Sequence, residues 1–365
     1  MINNLVKTSY SKNDVIILLQ DIKGKVPILD TEEREKLNQS GVHYSEMLPL
    51  EYRPTEKYME IYNESLDLLS KETANAVELL SKKIVDKKGK NIVLVSLARA
   101  GTPIGILVKR YIKLKWGYDI PHYSISIIRG KGIDVEAMNY IVSKHNAQDI
   151  QFLDGWVGKG AINTVLSSAC KELEKINKKF IGIDSELAVL SDPASVTELY
   201  GTRQDFLIPS ACLNATVSGL ISRTVKLQTM TDNELHGAIY YSEYKNEDKS
   251  IEFIEKVCQH FSTKIVDNFN PSIAEQDESF KGIDEVNKIG QLYGISDINK
   301  IKPGVGETTR VLLRRMPYKV LIRKDADEKY LKHIKRLCEE KNVPIEYFDF
   351  KKYNVCGIIK SVADL

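Results

Sequence analysis

Apolar residues between Thr55 and Lys87 recur at steps of three and four, the spacing of one face of an α-helix. We therefore predict one long helix over this stretch. Residues 1–56 show no clear period, and their short apolar run Asp14–Leu19 lies among polar turns. We expect these residues to form an N-terminal extension that folds over an active site.

After Lys87 the pattern alternates between short apolar runs, typical of buried strands, and segments with helical spacing. The predicted strands are Asn91–Ser96, Pro121–Ile128, Ile150–Leu153 and Lys179–Asp184. Such alternation predicts an α/β fold with a parallel sheet and helices on both faces. We assign this domain to residues 57–290 and a small α/β domain to residues 301–365. Ligands of such sheets bind at the carboxyl ends of the strands.

Composition narrows the class of protein. The chain has 365 residues, of which 42% are hydrophobic and 28% are charged, as expected of a soluble globular protein with more than one domain. The sequence shows no secretory signal or membrane span, so we expect a cytoplasmic protein without a membrane partner. Its five cysteines are far apart, which argues against disulfides and a structural zinc site. Nothing in the sequence specifies an oligomeric state.

Charge is distributed unevenly along the chain. Residues 301–365 carry 15 Lys and Arg against 9 Asp and Glu, whereas residues 1–300 carry 37 against 41. A basic domain that follows an acidic one suggests that the basic domain meets a polyanion. An evenly solvated basic surface is the alternative interpretation.

The loop after the first predicted strand suits an anion. Arg99 lies between Ala98 and Ala100, and Gly101 precedes a helix start marked by Thr102 and Pro103. Small residues permit close backbone approach, and the guanidinium is a strong donor to anions. A capped turn with an exposed arginine is the alternative.

Two further strand ends carry glycines and cations. Arg129 and Lys131 alternate with glycines after the second strand, as in a mobile cover for a polyphosphate. After the third strand, Asp154 is followed by Gly158, Lys159 and Gly160 before a predicted helix. Backbone N–H groups at a helix N-terminus attract phosphate, and Asp154 could accept hydrogen bonds from sugar hydroxyls. Both loops could equally be ordinary turns.

In this order, the three loops resemble those of type I phosphoribosyltransferases. The resemblance implies a parallel sheet of that type, an enzyme that transfers ribose 5-phosphate from phosphoribosyl pyrophosphate to a nucleobase-like acceptor, and Mg²⁺ as cofactor. It implies pyrophosphate contacts from Ala98, Arg99, Ala100 and Gly101, a ribose contact from Asp154, and 5′-phosphate contacts from Gly158, Lys159 and Gly160. Catalysis would be electrostatic, through Arg99, Arg129 and Lys131. The sequence departs from the family at Gly155, where a second acid is usual, and at Lys159, where a hydroxyl residue is usual.

Longer strings within residues 40–245 are similar to one bacterial branch of this family, found in tellurium-resistance and stress gene clusters. They include Gly201–Val225 and Glu234–Tyr241. Within them, Arg203 and Arg223 are candidates to pair with anionic groups of the ligand.

Proteins of the same branch are also named as cysteine proteases of the StiP type. A cysteine hydrolase needs a thiolate, a base and a group that orients the base. Cys212, His236 and either Asp232 or Asn214 could supply them. An inert buried cysteine and a histidine in a turn are the alternative.

Residues 301–365 resemble the Pelota-like RNA-binding domain. The resemblance implies an RNA-facing turn and helix, because helix N-terminal amides and arginines suit a bent phosphate backbone. The residues carried over are Gly304, Gly306, Glu307, Thr308, Arg310 and Arg314. A docking domain without RNA is one alternative. A non-catalytic RNA-binding protein with a degenerate transferase core is another.

Overall fold

The computed structural model describes residues 4–231, 233–263 and 281–360. The helices are α1 Thr31–Gln39, α2 Glu56–Lys88, α3 Gly101–Trp116, α4 Val135–Val142, α5 Ala161–Ile176, α6 Ser250–Cys258, α7 Gly282–Tyr293, α8 Val305–Arg314 and α9 Glu328–Glu340. The strands are β1 Ile16–Ile17, β2 Gln20–Asp21, β3 Ile28–Leu29, β4 Leu48–Pro49, β5 Val93–Leu97, β6 His122–Ile125, β7 Ile127–Ile128, β8 Gly132–Ile133, β9 Ile150–Trp156, β10 Ala188–Ser191, β11 Tyr200–Thr202, β12 Gly237–Ala238, β13 Ile301–Pro303, β14 Pro317–Ile322, β15 Ile345–Tyr347 and β16 Val355–Ile359.

The predicted parallel sheet is confirmed. Six strands lie in the order β1-β6-β5-β9-β10-β11, and each neighbouring pair is parallel. The central strands β5, β9 and β10 are buried almost throughout, because helices cover both faces of the sheet. That the sheet is of the phosphoribosyltransferase type stays a prediction.

Strand order places a crevice between β5 and β9. From β5 the chain crosses through α3 to β6 on one side, and it later returns to β9 on the other side of β5. Ligands of open parallel sheets bind at such a reversal, outside the carboxyl ends of the strands. The loop after β5 and the end of β9 therefore share one rim.

The long predicted helix is confirmed as α2. The side chain of Thr55 caps its N-terminus by accepting from the backbone N–H of Tyr58, and Gly89 ends it with a φ of 69°. Its apolar face, which includes Tyr62, Leu66 and Leu80, is buried in the main core. No helix in the described ranges is long and apolar enough to cross a membrane.

The C-terminal domain contains a second sheet, in the order β13-β16-β14-β15, with α8 and α9 packed together beside it. Its basic helix α9 faces the acidic side of α2. Lys329 pairs with Glu72, and Nη1 of Arg336 lies 3.0 Å from a carboxylate oxygen of Glu64. Part of the basic charge of this domain is thus matched by carboxylates of the same chain.

One predicted strand is wrong. The run Lys179–Asp184 overlaps a short 3₁₀ helix over Lys178–Phe180, and the side chain of Ile181 is exposed. The strand that follows α5 is instead β10, a few residues later. The prediction was wrong because Phe180 and Ile183 lie in a turn and still bury their side chains, which gives the same apolar run as a buried strand.

Candidate functional site

A cavity of about 190 Å³ opens at the rim between β5 and β9. Two of the three predicted loops line it, through Arg99 and Ala100 after β5 and through Asp154 and Gly155 in β9. The full lining is Arg99, Ala100, Pro103, Asp154, Gly155, Trp156, Phe206, Ile208, Ser210, Ala211, Leu213, Asn214, Ser218, Gly306, Glu307 and Arg310. The first domain and α8 of the C-terminal domain therefore share this cavity.

The loop after β5 holds Arg99 in a largely buried position. Its Nη1 donates to the carbonyl of Ile221 at 3.1 Å, and Nη1 lies 4.0 Å from a carboxylate oxygen of Glu51. Burial lowers the pKa of Arg99, the carboxylate of Glu51 opposes that shift, and the nearby Arg310 adds to it. Glu51, in the N-terminal extension, is thus a counter-ion of the cavity arginine.

Close packing fixes the two loops against each other. A Cβ added at Gly101, the first residue of α3, would lie 2.6 Å from the carbonyl oxygen of Leu153 in β9. Gly101 therefore permits close contact between the N-terminus of α3 and the neighbouring strand. Gly101 itself and Ala98 lie beside the cavity wall, outside its lining.

Asp154 places a carboxyl group in the cavity wall. Its Oδ1 accepts from the backbone N–H of Gly155 at 2.7 Å. Burial raises the pKa of Asp154 to about 7, and this single hydrogen bond offsets the rise only in part. Near neutral pH the group is thus both a proton donor and a proton acceptor.

The glycine-rich turn Gly158–Gly160 does not line the cavity, although the resemblance implied that it contacts the same ligand as Arg99 and Asp154. The carbonyl of Gly158 accepts from the hydroxyl of Tyr353, and Lys159 donates to the carbonyls of Ile298 and Ile301 at 2.8 and 3.1 Å. Burial, with repulsion from Lys302, lowers the pKa of Lys159 to about 8. In this structure the turn is a contact surface for the C-terminal part of the chain.

The second predicted loop is also elsewhere. Arg129 and Lys131 lie on the hairpin of β7 and β8, outside the cavity lining. Lys131 pairs with Glu46 at 3.3 Å, and the carbonyl of Arg129 accepts from the hydroxyl of Tyr44 at 3.5 Å. The N-terminal extension therefore contacts this hairpin.

Two further candidate arginines bind the protein itself. Arg203 is fully buried and pairs with Asp192, and its guanidinium stacks 3.6 Å from the ring centre of Tyr200. Arg223 donates to the carbonyls of Tyr44 and Met47 at 2.6 and 2.8 Å. Neither side chain lines the cavity, and in this structure both stabilise contacts between segments of the chain.

The residues carried over for RNA binding lie at the interface between the domains. A Cβ added at Gly304 would lie 2.5 Å from the ring of Trp156, and Thr308 is fully buried with its hydroxyl accepting from the backbone of Gly357. The three residues Gly306, Glu307 and Arg310 line the cavity, while Arg314 bonds to the first domain. Of the six residues, Arg310 is the exposed one, with 46% of its side chain accessible, so this turn and helix present only part of the surface that the resemblance implied.

Cys212 lies directly behind the cavity wall. Its neighbours Ala211 and Leu213 line the cavity, but its own thiol is fully buried, with Sγ 3.7 Å from the hydroxyl oxygen of Ser65. Burial raises the pKa of the Cys212 thiol to about 11. Arg314 bonds to this segment: Nη2 donates to the Cys212 carbonyl and Nη1 to Oδ1 of Asn214, both at 2.6 Å.

His236 is not a partner of Cys212 in this structure. Its Nδ1 bonds to the hydroxyl of Ser126 at 2.8 Å, and its backbone N–H donates to Asp134 at 2.6 Å. Burial lowers the pKa of His236 to about 3. In the described part of the chain, no hydrogen bond joins a cysteine sulfur to a histidine ring. The other proposed partner, Asp232, lies outside the described residues.

The described residues form no protein-only site for the Mg²⁺ that the transferase resemblance implied. Within the described ranges no group of three or more His, Cys, Asp and Glu side chains could hold a metal ion. At the cavity, Gly155 follows Asp154 where a second acid would be needed, and Glu307 pairs with Arg310. Mg²⁺ in phosphate sites is commonly held by one or two carboxylates together with the phosphates of the substrate, so Mg²⁺ stays a prediction, and no step is assigned to it.

Sequence reasoning missed the residues that join the two domains. Asp205 accepts from the backbone N–H of Val305 at the start of α8 and from that of Asn354, at 2.8 and 2.7 Å. An acidic residue at a helix N-terminus is a recognisable pattern, but here helix and acid are about a hundred positions apart. Trp156 and Tyr353 were missed for the same reason, because each contacts the other domain: the ring of Trp156 lies against Gly304, and the hydroxyl of Tyr353 donates to the carbonyl of Gly158.

Comparison with known proteins identifies the family. The sequence model described as "Tellurite-like stress resistance cysteine protease StiP" matches residues 8–258, more than half of the chain. The chain belongs to the StiP family. It is also 36% identical over 351 residues to a protein of Acinetobacter baylyi named "Cysteine protease StiP", covering 93% of this chain and 89% of that protein. A model described as "PELOTA RNA binding domain" matches residues 280–361, and no solved structure matches the chain.

Membership in the StiP family corrects one expectation. The sequence resemblance implied a phosphoribosyltransferase, whereas both the family and the relative from Acinetobacter baylyi are named as cysteine proteases. The transferase assignment is therefore wrong as a statement of activity. The links to StiP, to tellurite-like stress and to the Pelota domain are confirmed.

Proposed function

We propose that this chain is a cysteine-dependent protease that acts in resistance to tellurite-like stress, with Cys212 as its nucleophile. The observation that carries the proposal is the 36% identity, over 93% of the chain, to a protein named as a cysteine protease. The position of Cys212 supports the choice of residue, because the residues on either side of it line the cavity.

The chemistry requires a thiolate. The sulfur attacks the carbonyl carbon of the scissile peptide, the amine leaves with a proton, and water then hydrolyses the thioester. In the structure the C-terminal domain packs against the first domain, and we call this arrangement docked. In it the thiol of Cys212 is buried and protonated, because burial raises its pKa to about 11. The docked arrangement is therefore a resting state of the proposed enzyme.

Activation needs the segment Pro209–Cys212, a short 3₁₀ helix, to turn its thiol toward the cavity. There the guanidinium of Arg310, which already acts to lower the pKa of the Cys212 thiol, favours the thiolate. Asp154, whose pKa is about 7, supplies a carboxyl group in the same cavity that can protonate the leaving amine.

Access of a peptide also needs the cavity to open. A volume of about 190 Å³ holds roughly six waters at about 30 Å³ each, which is too small for an extended peptide. Since Gly306, Glu307 and Arg310 close one side, separation of the C-terminal domain widens the site.

The test is hydrolysis of casein by the purified full chain, with products identified by mass spectrometry. We expect Cys212→Ser to lower the rate by a factor on the order of 10³ or more, since the hydroxyl is not activated here. Cys258→Ser is the matched control, because Cys258 is the partly exposed cysteine and lies outside the cavity. Retention of cleavage by Cys212→Ser would exclude the proposed nucleophile.

The type of fold is a separate part of the proposal. We infer a phosphoribosyltransferase-like sheet that no longer carries transferase chemistry. The support is the crevice between β5 and β9, with Asp154 at its rim and Gly155 in place of a second acid. A solved structure whose strand order or crossovers differ from that type would exclude it.

RNA binding by residues 301–365 is a second candidate function, favoured by the match to the Pelota domain. Because Gly304, Thr308 and Arg314 are covered in the docked structure, RNA that uses them has to separate the domains. Fluorescence anisotropy with a labelled kinked RNA, across a salt series, tests this. Binding that Arg314→Met leaves unchanged would place any RNA contact elsewhere.

A further inference from the structure

We propose that the turn after α5, residues 176–181, binds the surface of a lipid bilayer that carries anionic headgroups. Two exposed isoleucines of the turn enter the apolar layer, and the lysines between them lie at the lipid phosphates. The inference goes beyond the proposed protease activity and does not depend on it. It departs from the expectation of no membrane partner, which rested on the lack of a spanning segment in the sequence, because surface binding does not need such a segment.

The turn presents two large apolar side chains to solvent. Ile176, the last residue of α5, is 60% exposed, and Ile181 is 65% exposed. The 3₁₀ helix Lys178–Phe180 connects them, and its last residue, Phe180, is fully buried. Because Phe180 anchors the turn in the core, both exposed isoleucines lie on a fixed piece of backbone.

An apolar groove continues from the turn along α5. Its volume is about 420 Å³, within the range of roughly 300–1,000 Å³ that is typical of sites for apolar ligands. Its apolar lining comes from one stripe of α5 and from the segment after the β7–β8 hairpin: Val165, Ala169, Leu173, Ile176, Ile133 and Val135. Since Ile176 belongs to both the groove and the turn, an acyl chain that packs against Ile176 also meets the groove.

Lysines beside these isoleucines give the turn a positive charge. Residues 175–183 contain Lys175, Lys178 and Lys179 and no acidic residue. Lys175 pairs with Glu172 at 2.7 Å, but both side chains are largely exposed, and such a pair contributes little. Within the described ranges neither Lys178 nor Lys179 forms an ion pair, and both residues are exposed. Their charges are therefore open to an external anion.

The other acidic residues near the turn have partners within the protein. Asp184 and Glu186 both pair with Lys87 of α2, at 2.6 and 2.5 Å. Glu174 accepts from the backbone N–H of Gly182 at 3.2 Å. The positive charge of the turn is thus not neutralised from its flanks.

An anionic bilayer fits both properties of the turn. At its surface, apolar side chains enter the boundary of the acyl chains while lysines meet the negative headgroups. Nucleic-acid bases, by contrast, are held by stacking on aromatic rings, and the exposed apolar side chains of this turn are aliphatic. The combination of isoleucine and lysine therefore favours lipid over RNA.

The test is sedimentation of the full chain with vesicles of phosphatidylcholine alone or of an equal mixture of phosphatidylcholine and phosphatidylglycerol. We expect binding to the mixed vesicles to be tighter by about tenfold or more, and to weaken as salt is added. The double variant Lys178→Gln with Lys179→Gln should weaken binding to the mixed vesicles by roughly 25-fold, at roughly fivefold per lysine. Ile181→Ser should weaken it by about tenfold, because less apolar surface enters the bilayer.

Leu114→Ser is the matched control and should bind as wild type does. Leu114 of α3 is 52% exposed, but its neighbour Lys113 pairs with Asp119 at 3.4 Å. Equal binding to both kinds of vesicle would overturn the proposal, and so would equal binding by Ile181→Ser and wild type. Sedimentation velocity without vesicles tests a second copy of the chain as the occupant. A dimer that Ile181→Ser abolishes would overturn the assignment to lipid.

Discussion

Replacement of Arg314 by methionine should release the segment that holds Cys212. The guanidinium of Arg314 donates to the Cys212 carbonyl and to Asn214, both at 2.6 Å. Methionine keeps an unbranched apolar side chain but removes both hydrogen bonds and the guanidinium that lies 5.5 Å from the ring centre of Tyr58.

The expected size of the effect follows from those two bonds. A hydrogen bond to a charged group stabilises by about 1.5–3 kcal/mol. Burial of Arg314 and repulsion from Arg310 offset part of that gain, as the lowered pKa of Arg314 shows. We therefore expect local opening of the segment to become easier by about 2 kcal/mol, which corresponds to roughly 30-fold in the opening equilibrium.

Alkylation of cysteines with iodoacetamide, resolved peptide by peptide in a mass spectrometer, measures this opening. Labelling of Cys212 should rise roughly 30-fold in Arg314→Met, and labelling of Cys170 should not change, because Cys170 is a buried residue of α5 in a different core cluster from Cys212. Arg315→Met is the control for loss of a cation from the same segment. Unchanged labelling of Cys212 would refute the reasoning, and so would a rise matched by Cys170, since that would report global unfolding.

Two further predictions concern the cavity rim. The pKa of Asp154 is raised to about 7, so its contribution to stability is fully present below the unfolded pKa of 3.8 and is lost as the pH rises through 7. Asp154→Asn should therefore gain roughly 1.3 kcal/mol in unfolding free energy relative to wild type between pH 5 and pH 8, about half the linkage over that pH range because the group faces the cavity; a difference that is independent of pH would exclude this origin. Gly101→Ala should lower the free energy of unfolding by about 1–3 kcal/mol, because its Cβ would lie 2.6 Å from the carbonyl oxygen of Leu153. Gly155→Ala, whose nearest contact would be 3.5 Å, should cost less than about 1 kcal/mol, and equal denaturation midpoints for the two variants would contradict the packing argument.

Sequence patterns predicted the features that depend on local periodicity. The helix α2 and the parallel sheet both follow from apolar spacing within short windows. The meeting of Arg99 with Asp154 was also predictable, because adjacent parallel strands end at the same rim.

Features that depend on the contact between domains were not predictable. The glycines at Gly158 and Gly160 have the local form of a phosphate turn, yet the Gly158 carbonyl accepts from Tyr353 and the Lys159 side chain donates to the carbonyl of Ile301. The basic charge of residues 301–365 suggested a polyanionic partner, although carboxylates of α2 face part of that charge on α9. In both cases the local chemistry is compatible with two partners, and only the tertiary arrangement selects one.

The central claim is that Cys212 is the nucleophile and that Arg314 of the C-terminal domain holds it in a resting position. The most direct measurement is the rate of casein cleavage by wild type, by Arg314→Met and by the double variant Arg314→Met with Cys212→Ser. The account predicts faster cleavage by Arg314→Met than by wild type and no cleavage by the double variant. Cleavage by the double variant, or equal rates for Arg314→Met and wild type, would contradict it.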